Sequence, residues 1–361
     1  MTNINNKNYY FACANTCIGF VNLFNTIYNS KKIEKIYIIK GYDKAYILNK
    51  IAKKAEDKKY TIEYFLNPVE INCLNGIIIN ELKTAIINED LYISISIKML
   101  NYPVLFENII NLNDFYDEML LTKQKNEIYD LIKKKNEYNK IAYKFLIAAN
   151  ELSEINIKLS NKYINQEKLN LSINRILYKY INEKHLNDYK NECIDKYIFI
   201  NSVSATGLKE LDTFENEAIK IFYISNEYFS GWQYTESIFE KFENINKIIC
   251  PDVLNPAKIK AIYLKDQKIL FIIKHKELNK IYEDRYNFIN MERFIDKNFK
   301  KENKQKLRFI YKCYNSIIDE VIKYFLEIKN LNNSIENIYK FANKTDERNK
   351  YIESVIKKIF I

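Results

Sequence analysis

Two short stretches of the chain contain residue types that could bind a phosphate group. In the first, the apolar run KIYIIK (35–40) is broken by Gly41, and apolar residues then recur at helical spacing as far as Ala55. A strand, a glycine turn and a helix bring backbone N–H groups and the positive end of a helix dipole to one point, where an anion can bind. Gly41 and Lys44 are therefore the candidate phosphate-binding residues of the first stretch.

The second stretch repeats this order of elements. KIFYIS (220–225) is followed by NEYFSGWQ, which fits the G-x-x-x-x-G-K-S/T frame of a phosphate-binding loop without gaps. Asn226 stands at the first glycine position and Gly231 at the second, so both are candidate binding residues. Trp232 replaces the lysine and Gln233 replaces the hydroxyl residue. We predict that the Trp232 side chain fills this second site.

Both loops lack groups that phosphate chemistry requires. In such loops the glycine backbone surrounds the phosphates, the lysine supplies positive charge and the hydroxyl binds magnesium. The first loop is contracted to Tyr42-Asp43-Lys44-Ala45, so Lys44 has the wrong spacing. A magnesium-binding acid usually ends a core strand. Glu89 or Asp90 could serve in the first half, although a polar turn is the simpler interpretation, and the second half has Lys274-His275 at this point.

The elements around these loops occur twice in the chain. Gly19 pairs with Gly207 at an offset of 207 − 19 = 188, and Ile39 pairs with Ile224 at 224 − 39 = 185. The dipeptide Asn-Pro recurs at 67–68 and 255–256, an offset of 255 − 67 = 188. These registers indicate a duplication in which the first loop is three residues shorter than the second. Chance similarity is the alternative.

The duplication predicts two domains, residues 1–192 and 193–361, each an α/β unit with a mostly parallel sheet flanked by helices. Each unit is extended by a helical arm, at about 114–191 and about 291–361, in which no Pro or Gly occurs. Within the first domain we also predict a helix over Phe20–Tyr28 and a strand over LYISISI (91–97).

Longer segments around both loops carry a resemblance to a known family. They are FACANTCIGFVNLF, IYIIKG, NPVEINCLNGIIINELKTAII and FENIINLNDFYDE in the first half, and IFYISNEYFSGWQ and CPDVLNPAKIKAIYLKDQKILFI in the second. Through these segments, nearly the whole chain resembles an uncharacterised bacterial family of tandem P-loop ATPases. The resemblance implies two tandem P-loop NTPase-like domains that bind and hydrolyse ATP, but both loops depart from the intact pattern of the family.

Composition argues against several other classes of protein. Six cysteines among 361 residues are too dilute for a disulfide scaffold, and Cys13 and Cys17 have no further metal ligands at close spacing. The two histidines, His185 and His275, are too few to suggest a His-based hydrolase or a His-rich metal site. No segment reads as a signal peptide or a transmembrane helix, so we expect a cytoplasmic protein without a membrane partner.

The basic net charge of +10 is weak support for a nucleic-acid partner. Lys is abundant together with Ile, Asn and Tyr, as in proteins from AT-rich coding sequences, so the charge reflects composition. Lysines alternate with aromatic residues at 133–144 and 297–312, and such segments can follow a nucleic-acid backbone, but packed helices explain them equally well.

Three functional hypotheses result. The first is a pseudo-ATPase that has lost hydrolysis and acts as a binding or scaffold protein, with an unidentified protein partner and no cofactor. The second is an ATP-binding switch or weak ATPase that uses ATP and magnesium at a rearranged first loop. The third is a nucleic-acid-binding protein, which we do not expect.

Overall fold

Two six-stranded sheets organise the chain. The computed structural model describes residues 7–31, 33–91, 107–181, 195–226, 229–242, 245–274 and 284–361. Several predictions lie outside these residues, namely positions 92–97 of the strand predicted over 91–97, the two histidines and the boundary between residues 192 and 193. Leu91, the described residue of that predicted strand, is helical instead. Within the described residues, no helix combines the length and apolar character needed to cross a lipid bilayer.

The first sheet gathers its loops at one edge. Its strands are β1 (Asn8–Tyr10), β4 (Lys35–Lys40), β5 (Ile62–Leu66), β6 (Leu74–Ile79), β7 (Thr84–Asn88) and β8 (Glu107–Asn111), in the spatial order β1-β5-β6-β7-β4-β8. Strand β6 runs antiparallel to its neighbours, and the other strands share one direction. Their carboxyl ends therefore meet at one edge, which is where α/β sheets bind ligands.

The second sheet has the same arrangement. Its strands are β9 (Lys196–Tyr197), β12 (Lys220–Ser225), β13 (Lys247–Pro251), β14 (Ile259–Leu264), β15 (Ile269–Lys274) and β16 (Tyr286–Ile289), in the order β9-β13-β14-β15-β12-β16. Here β14 is the antiparallel strand. The order of equivalent strands is identical in both sheets. The predicted α/β class, with mostly parallel sheets flanked by helices, is confirmed, and both sheets are mixed.

A small hairpin accompanies each sheet. Strands β2 (Cys13–Thr16) and β3 (Gly19–Asn22) form the first, and β10 (Asn201–Ser204) and β11 (Gly207–Glu210) form the second. Gly19 and Gly207 have φ angles of 104° and 113°, which glycine adopts without strain. The predicted helix over Phe20–Tyr28 is wrong at its start, because Phe20 pairs within β3 and α1 begins at Phe24.

Amphipathic helices cover the sheets. They are α1 (Phe24–Lys31), α2 (Lys44–Asp57), α6 (Thr213–Glu217) and α7 (Gly231–Glu240). Helix α2 buries the apolar stripe from Ile47 to Ala55 that its sequence spacing predicts. This stripe packs in one core with Ile39 of β4 and Ile77 of β6, so the helix is held where its first residue reaches the carboxyl edge of the sheet.

The remaining helices form two long arms. The first arm contains α3 (Glu118–Lys123), α4 (Lys125–Asn161) and α5 (Gln166–Tyr180), and the second contains α8 (Lys297–Phe341) and α9 (Thr345–Ile359). Asp117 and Asp296 cap the starts of the two arms, each accepting two backbone N–H bonds. Helices α4 and α8 pack along each other, with Tyr324 contacting both Tyr138 and Phe145.

The two arms exchange their terminal helices between the halves. The end of the second arm pairs with the start of the first through Asn343 and Tyr116, and the end of the first pairs with the start of the second through Ile164 and Ile295. The two pairings are equivalent, since 295 − 116 = 179 and 343 − 164 = 179. Consequently α9 contacts the first half, and α5 contacts the second half through Tyr180 and Phe222.

The structure corrects one element of the duplication. The Asn67 side chain accepts the N–H groups of Val69 and Glu70, and in the second half Asp252 accepts those of Leu254 and Asn255. The equivalent of Asn67 is therefore Asp252, at 252 − 67 = 185. Pairing the two Asn-Pro dipeptides is wrong. By element bounds the first loop has three residues (41–43) and the second has five (226–230), a difference of two.

Candidate functional site

The first loop turns sharply from β4 into α2. Gly41 has a φ angle of 106°, and a Cβ at this position would lie 2.9 Å from Leu112 Cβ. Leu112 is held there because its N–H donates to the carbonyl of Lys40 at 2.9 Å. Asp43 also has a positive φ, 62°, and the helix starts at Lys44. Only glycine satisfies both the torsion and the space at position 41.

Lys44 is bound by the two acidic residues that follow β7. Its Nζ lies 2.7 Å from Glu89 Oε1 and 4.0 Å from Asp90 Oδ2. The structure thus brings together the candidate lysine and both candidate magnesium ligands. They neutralise one another, so the lysine charge is not free for a phosphate.

The last residue of β7 is Asn88, whose side chain is an amide. It lies beside β4, the strand that leads into the first loop. Asn88 is paired with Ile39 of β4, and its side chain is 7% exposed. Its Nδ2 donates to Asn75 Oδ1 at 2.8 Å, whereas its own Oδ1 has no hydrogen-bond partner among the described residues. A neutral amide stands where a carboxylate would be needed to hold magnesium beside the loop.

The second arm covers the first loop. Arg348 of α9 donates from Nη2 to Asp43 Oδ2 at 2.9 Å, and Tyr339 of α8 stacks on Tyr42 with ring centroids 4.0 Å apart. The N–H of Tyr42 donates to the Tyr116 hydroxyl oxygen at 3.2 Å. One of the backbone donors that a phosphate-binding loop offers to its ligand therefore binds a tyrosine.

A cavity of about 470 Å³ remains beside this loop. Apart from Asp43, which binds Arg348, the charged side chains of its described lining are Glu70, Glu89, Asp90, Glu336, Lys44 and Lys135. Acids outnumber bases, and burial raises the pKa of Glu336, with Glu70 adding to the rise. Burial lowers the pKa of Lys135. The cavity is therefore an acidic environment that disfavours an anion.

In the second loop, side chains occupy the place of a phosphate. The N–H of Gly231 donates to Asn226 Oδ1 at 3.1 Å. A Cβ on Gly231 would lie 3.0 Å from that same oxygen and from the carbonyl oxygen of Ser225. The two candidate binding residues of the second loop, Asn226 and Gly231, are thus together, but they bind each other.

Trp232 lies beside a second cavity, of about 350 Å³, at the carboxyl edge of the second sheet. Its side chain is buried and forms part of the cavity wall. The prediction that Trp232 fills the second site is wrong, because the side chain forms part of the wall and the cavity remains beside it. Gln233 points elsewhere, since its Oε1 accepts a hydrogen bond from Gln166 Nε2 of α5 at 3.4 Å, and this bond is exposed to solvent.

Several residues around the first loop were not foreseen from the sequence. Arg348, Tyr339 and Lys135 belong to the arms, and no local pattern indicates which loop they cover. Asn88 could have been recognised as a site residue from the sequence, because it directly follows the apolar residues of β7 and ends that strand.

Comparisons of the chain with protein-family models, curated proteins and solved structures found no match. The resemblance to tandem P-loop ATPases thus rests on the sequence segments alone.

Proposed function

We propose that the protein is a pseudo-ATPase, a binding or scaffold protein built on two degenerate P-loop NTPase-like units that do not hydrolyse ATP. The observation that carries this proposal is the ion pairing of Lys44 with Glu89 and Asp90. The residues that would hold phosphate and magnesium are bound to each other.

Electrostatics disfavour a nucleotide at the first loop. At an effective dielectric constant of about 20, a carboxylate about 4 Å from a phosphate charge costs about 4 kcal/mol. The described lining holds four carboxylates beside Lys44 and Lys135, and even with Lys340 Nζ 3.9 Å from Glu336 Oε2 its balance stays negative. Magnesium would have to offset this charge, and Asn88 offers it only an amide oxygen.

The second loop supports the same proposal by a different route. Asn226 Oδ1 accepts the N–H with which Gly231 would bind a phosphate, and Trp232 supplies bulk in place of a cation. Neither loop retains the electrostatic stabilisation that phosphoryl transfer needs. The crossed arms still bind the two halves into one body, as a scaffold requires.

Nucleotide binding and turnover test the proposal together. The purified chain should show no magnesium-dependent ATP hydrolysis, and millimolar ATP should not shift its thermal unfolding. A ligand at about 100 times its dissociation constant would add about 2.7 kcal/mol of stability, which is readily seen. ATP turnover that is lost in both Lys44→Ala and Asp90→Ala would overturn the proposal.

The second candidate is an ATP-binding switch or weak ATPase at the first loop. The observation that favours it is the cavity of about 470 Å³ beside Lys44, with acidic residues from the neighbouring strand in reach. An ATP-induced shift without turnover, absent in Lys44→Ala, would select it. Nucleic-acid binding stays a prediction, which a steep loss of oligonucleotide binding with salt would support.

A further inference from the structure

The two cavities occupy equivalent places but have different linings. The helix caps Asp117 and Asp296 set the offset between the arms at 296 − 117 = 179. At this offset Lys135 in the first cavity corresponds to Tyr314 in the second, since 314 − 135 = 179. Glu336 in the first likewise corresponds to Ile157 in the second. Where the arms contribute charged side chains to the first cavity, they contribute the aromatic Tyr314 and the aliphatic Ile157 to the second.

Among the described residues, four aromatic side chains line the second cavity: Phe229, Trp232, Tyr311 and Tyr314. Ring centroids of Phe229 lie 5.0 Å from Tyr314 and 6.0 Å from Tyr311, and the two tyrosines lie 6.4 Å apart. Phe229 is held with a φ angle of 63°, an uncommon torsion for an aromatic residue. Phe229, Tyr311 and Tyr314 thus form a cluster of rings in the lining, which Trp232 also joins.

The charges around this cluster favour a cation. Glu154, Asp252 and Asp319 all line the cavity. The two lysines in the described lining each have a carboxylate partner. Lys258 Nζ lies 3.3 Å from Glu236 Oε1, and Lys260 Nζ lies 3.0 Å from Glu210 Oε2. Lys274, which shares Glu210, is also paired with Glu215.

A buried acceptor completes the lining. Asn201 is 3% exposed, and a side-chain hydrogen bond joins it to Asp252. Its Oδ1 has no hydrogen-bond partner among the described residues. A buried acceptor without a donor costs free energy, which a ligand N–H or O–H would recover.

From this arrangement we infer that the second cavity binds a small organic ammonium cation with methylated nitrogen. The faces of Trp, Tyr and Phe rings attract such cations, whose weak hydration suits an aromatic wall. Asp252 and Asp319 supply the opposite charge, and Asn201 Oδ1 accepts from a hydroxyl or N–H elsewhere on the ligand. The first cavity lacks this set, because Lys135 stands at the position of Tyr314.

The cavity has access from solvent. Leu208 and Tyr311, both on its wall, are 56% and 37% exposed. Tyr311 can therefore be changed with little effect on the core, and it is a suitable test position.

Tryptophan fluorescence offers a direct test, since Trp232 is the single tryptophan of the chain. The full chain is titrated with choline at constant ionic strength, and separately with its neutral carbon isostere, 3,3-dimethylbutan-1-ol. We expect a saturable change in Trp232 emission with choline and an affinity at least about 10-fold weaker for the isostere. Tyr311→Ala and Asp252→Asn should each weaken choline binding by about 10-fold, whereas Tyr178→Ala, at an exposed position on α5, should not.

Three outcomes would overturn the inference. They are no saturable response to choline in the folded protein, equal affinity for the isostere, and unchanged binding in both Tyr311→Ala and Asp252→Asn. Circular dichroism and thermal unfolding of each variant confirm that the comparison is between folded proteins. ATP turnover is measured on the same samples, so failure here is distinct from failure of the proposed function.

Discussion

Phe11 and Phe199 occupy equivalent positions in the two halves, and each donates its backbone N–H to the carbonyl oxygen of the other at 3.0 Å. Their offset, 199 − 11 = 188, is that of the paired glycines. A contact between equivalent residues that is reciprocal in this way lies on a local twofold axis. The same axis relates two side-chain bonds, from Thr213 Oγ1 to the carbonyl of Tyr9 and from Thr26 Oγ1 to that of Tyr197.

Gly41→Ala should destabilise the protein more than Gly19→Ala. Both glycines have φ angles near 105°, so alanine at either position costs about 1 to 2 kcal/mol in backbone strain. At position 41 the new Cβ meets Leu112 Cβ at 2.9 Å, whereas at position 19 no atom in the described part of the chain lies within 4 Å. Overpacking should add about 1 to 3 kcal/mol for Gly41→Ala. Urea unfolding of both variants measures the difference, and equal losses would contradict the role given to Leu112.

Asp252→Asn should stabilise the protein at neutral pH. Burial raises the pKa of Asp252, so folding favours its protonated form. The contribution of this carboxyl group to stability is present at low pH and is lost as the pH rises through its raised pKa. Asparagine accepts the same two N–H bonds without charge, as Asn67 does in the first half. We expect a gain of about 0.5 to 2 kcal/mol at pH 7 that vanishes below the ordinary pKa range of Asp.

The converse change, Asn67→Asp, is the matched control for this prediction. It should destabilise the protein at pH 7 and have little effect in acid. Unfolding free energies of both variants across pH provide the measurement. A stabilisation by Asp252→Asn that is independent of pH would show that burial of the charge is not the cause.

Arg348→Met should destabilise the protein by about 3 kcal/mol, because it leaves Asp43 without its partner. Arg348 is 4% exposed and lies on the last helix, so the loss also loosens α9 from the first loop. Arg175→Met, at an exposed position on α5, should stay within about 0.5 kcal/mol of the native protein. In the double variant with Asp43→Asn the two effects should not add. A loss below about 0.5 kcal/mol for Arg348→Met would refute this account.

Strands β4 and β12 and helix α2 could be predicted because their signals are local. The run KIYIIK becomes β4, and the spacing from Ile47 to Ala55 becomes the buried face of α2. Such periodicity reports which face is buried but not what buries it. Lys44 and Glu89 were both candidate site residues because each follows the carboxyl end of a strand, but the ion pair between them was not predicted.

Contacts between side chains far apart in the chain could not be predicted from the sequence. Asp43 and Arg348 are 305 residues apart, and nothing local to either indicates the other. The identical Asn-Pro dipeptides suggested the wrong pair of equivalent residues. The turn after β5 and β13 needs only an Asn or Asp side chain that accepts the following N–H groups. Asp252 does this as well as Asn67, so the equivalent residue was not the identical one.

The exchange of α5 and α9 has a consequence for how such a chain assembles. A single half, ending in its own arm, would keep its terminal helix away from its own loop and leave that loop uncovered. If the two halves were separate chains, each loop would be covered only when the halves associate, and the rate and yield of association would depend on their concentration. Joined in one polypeptide, each half finds its partner at a fixed effective concentration, so the paired arrangement no longer depends on dilution.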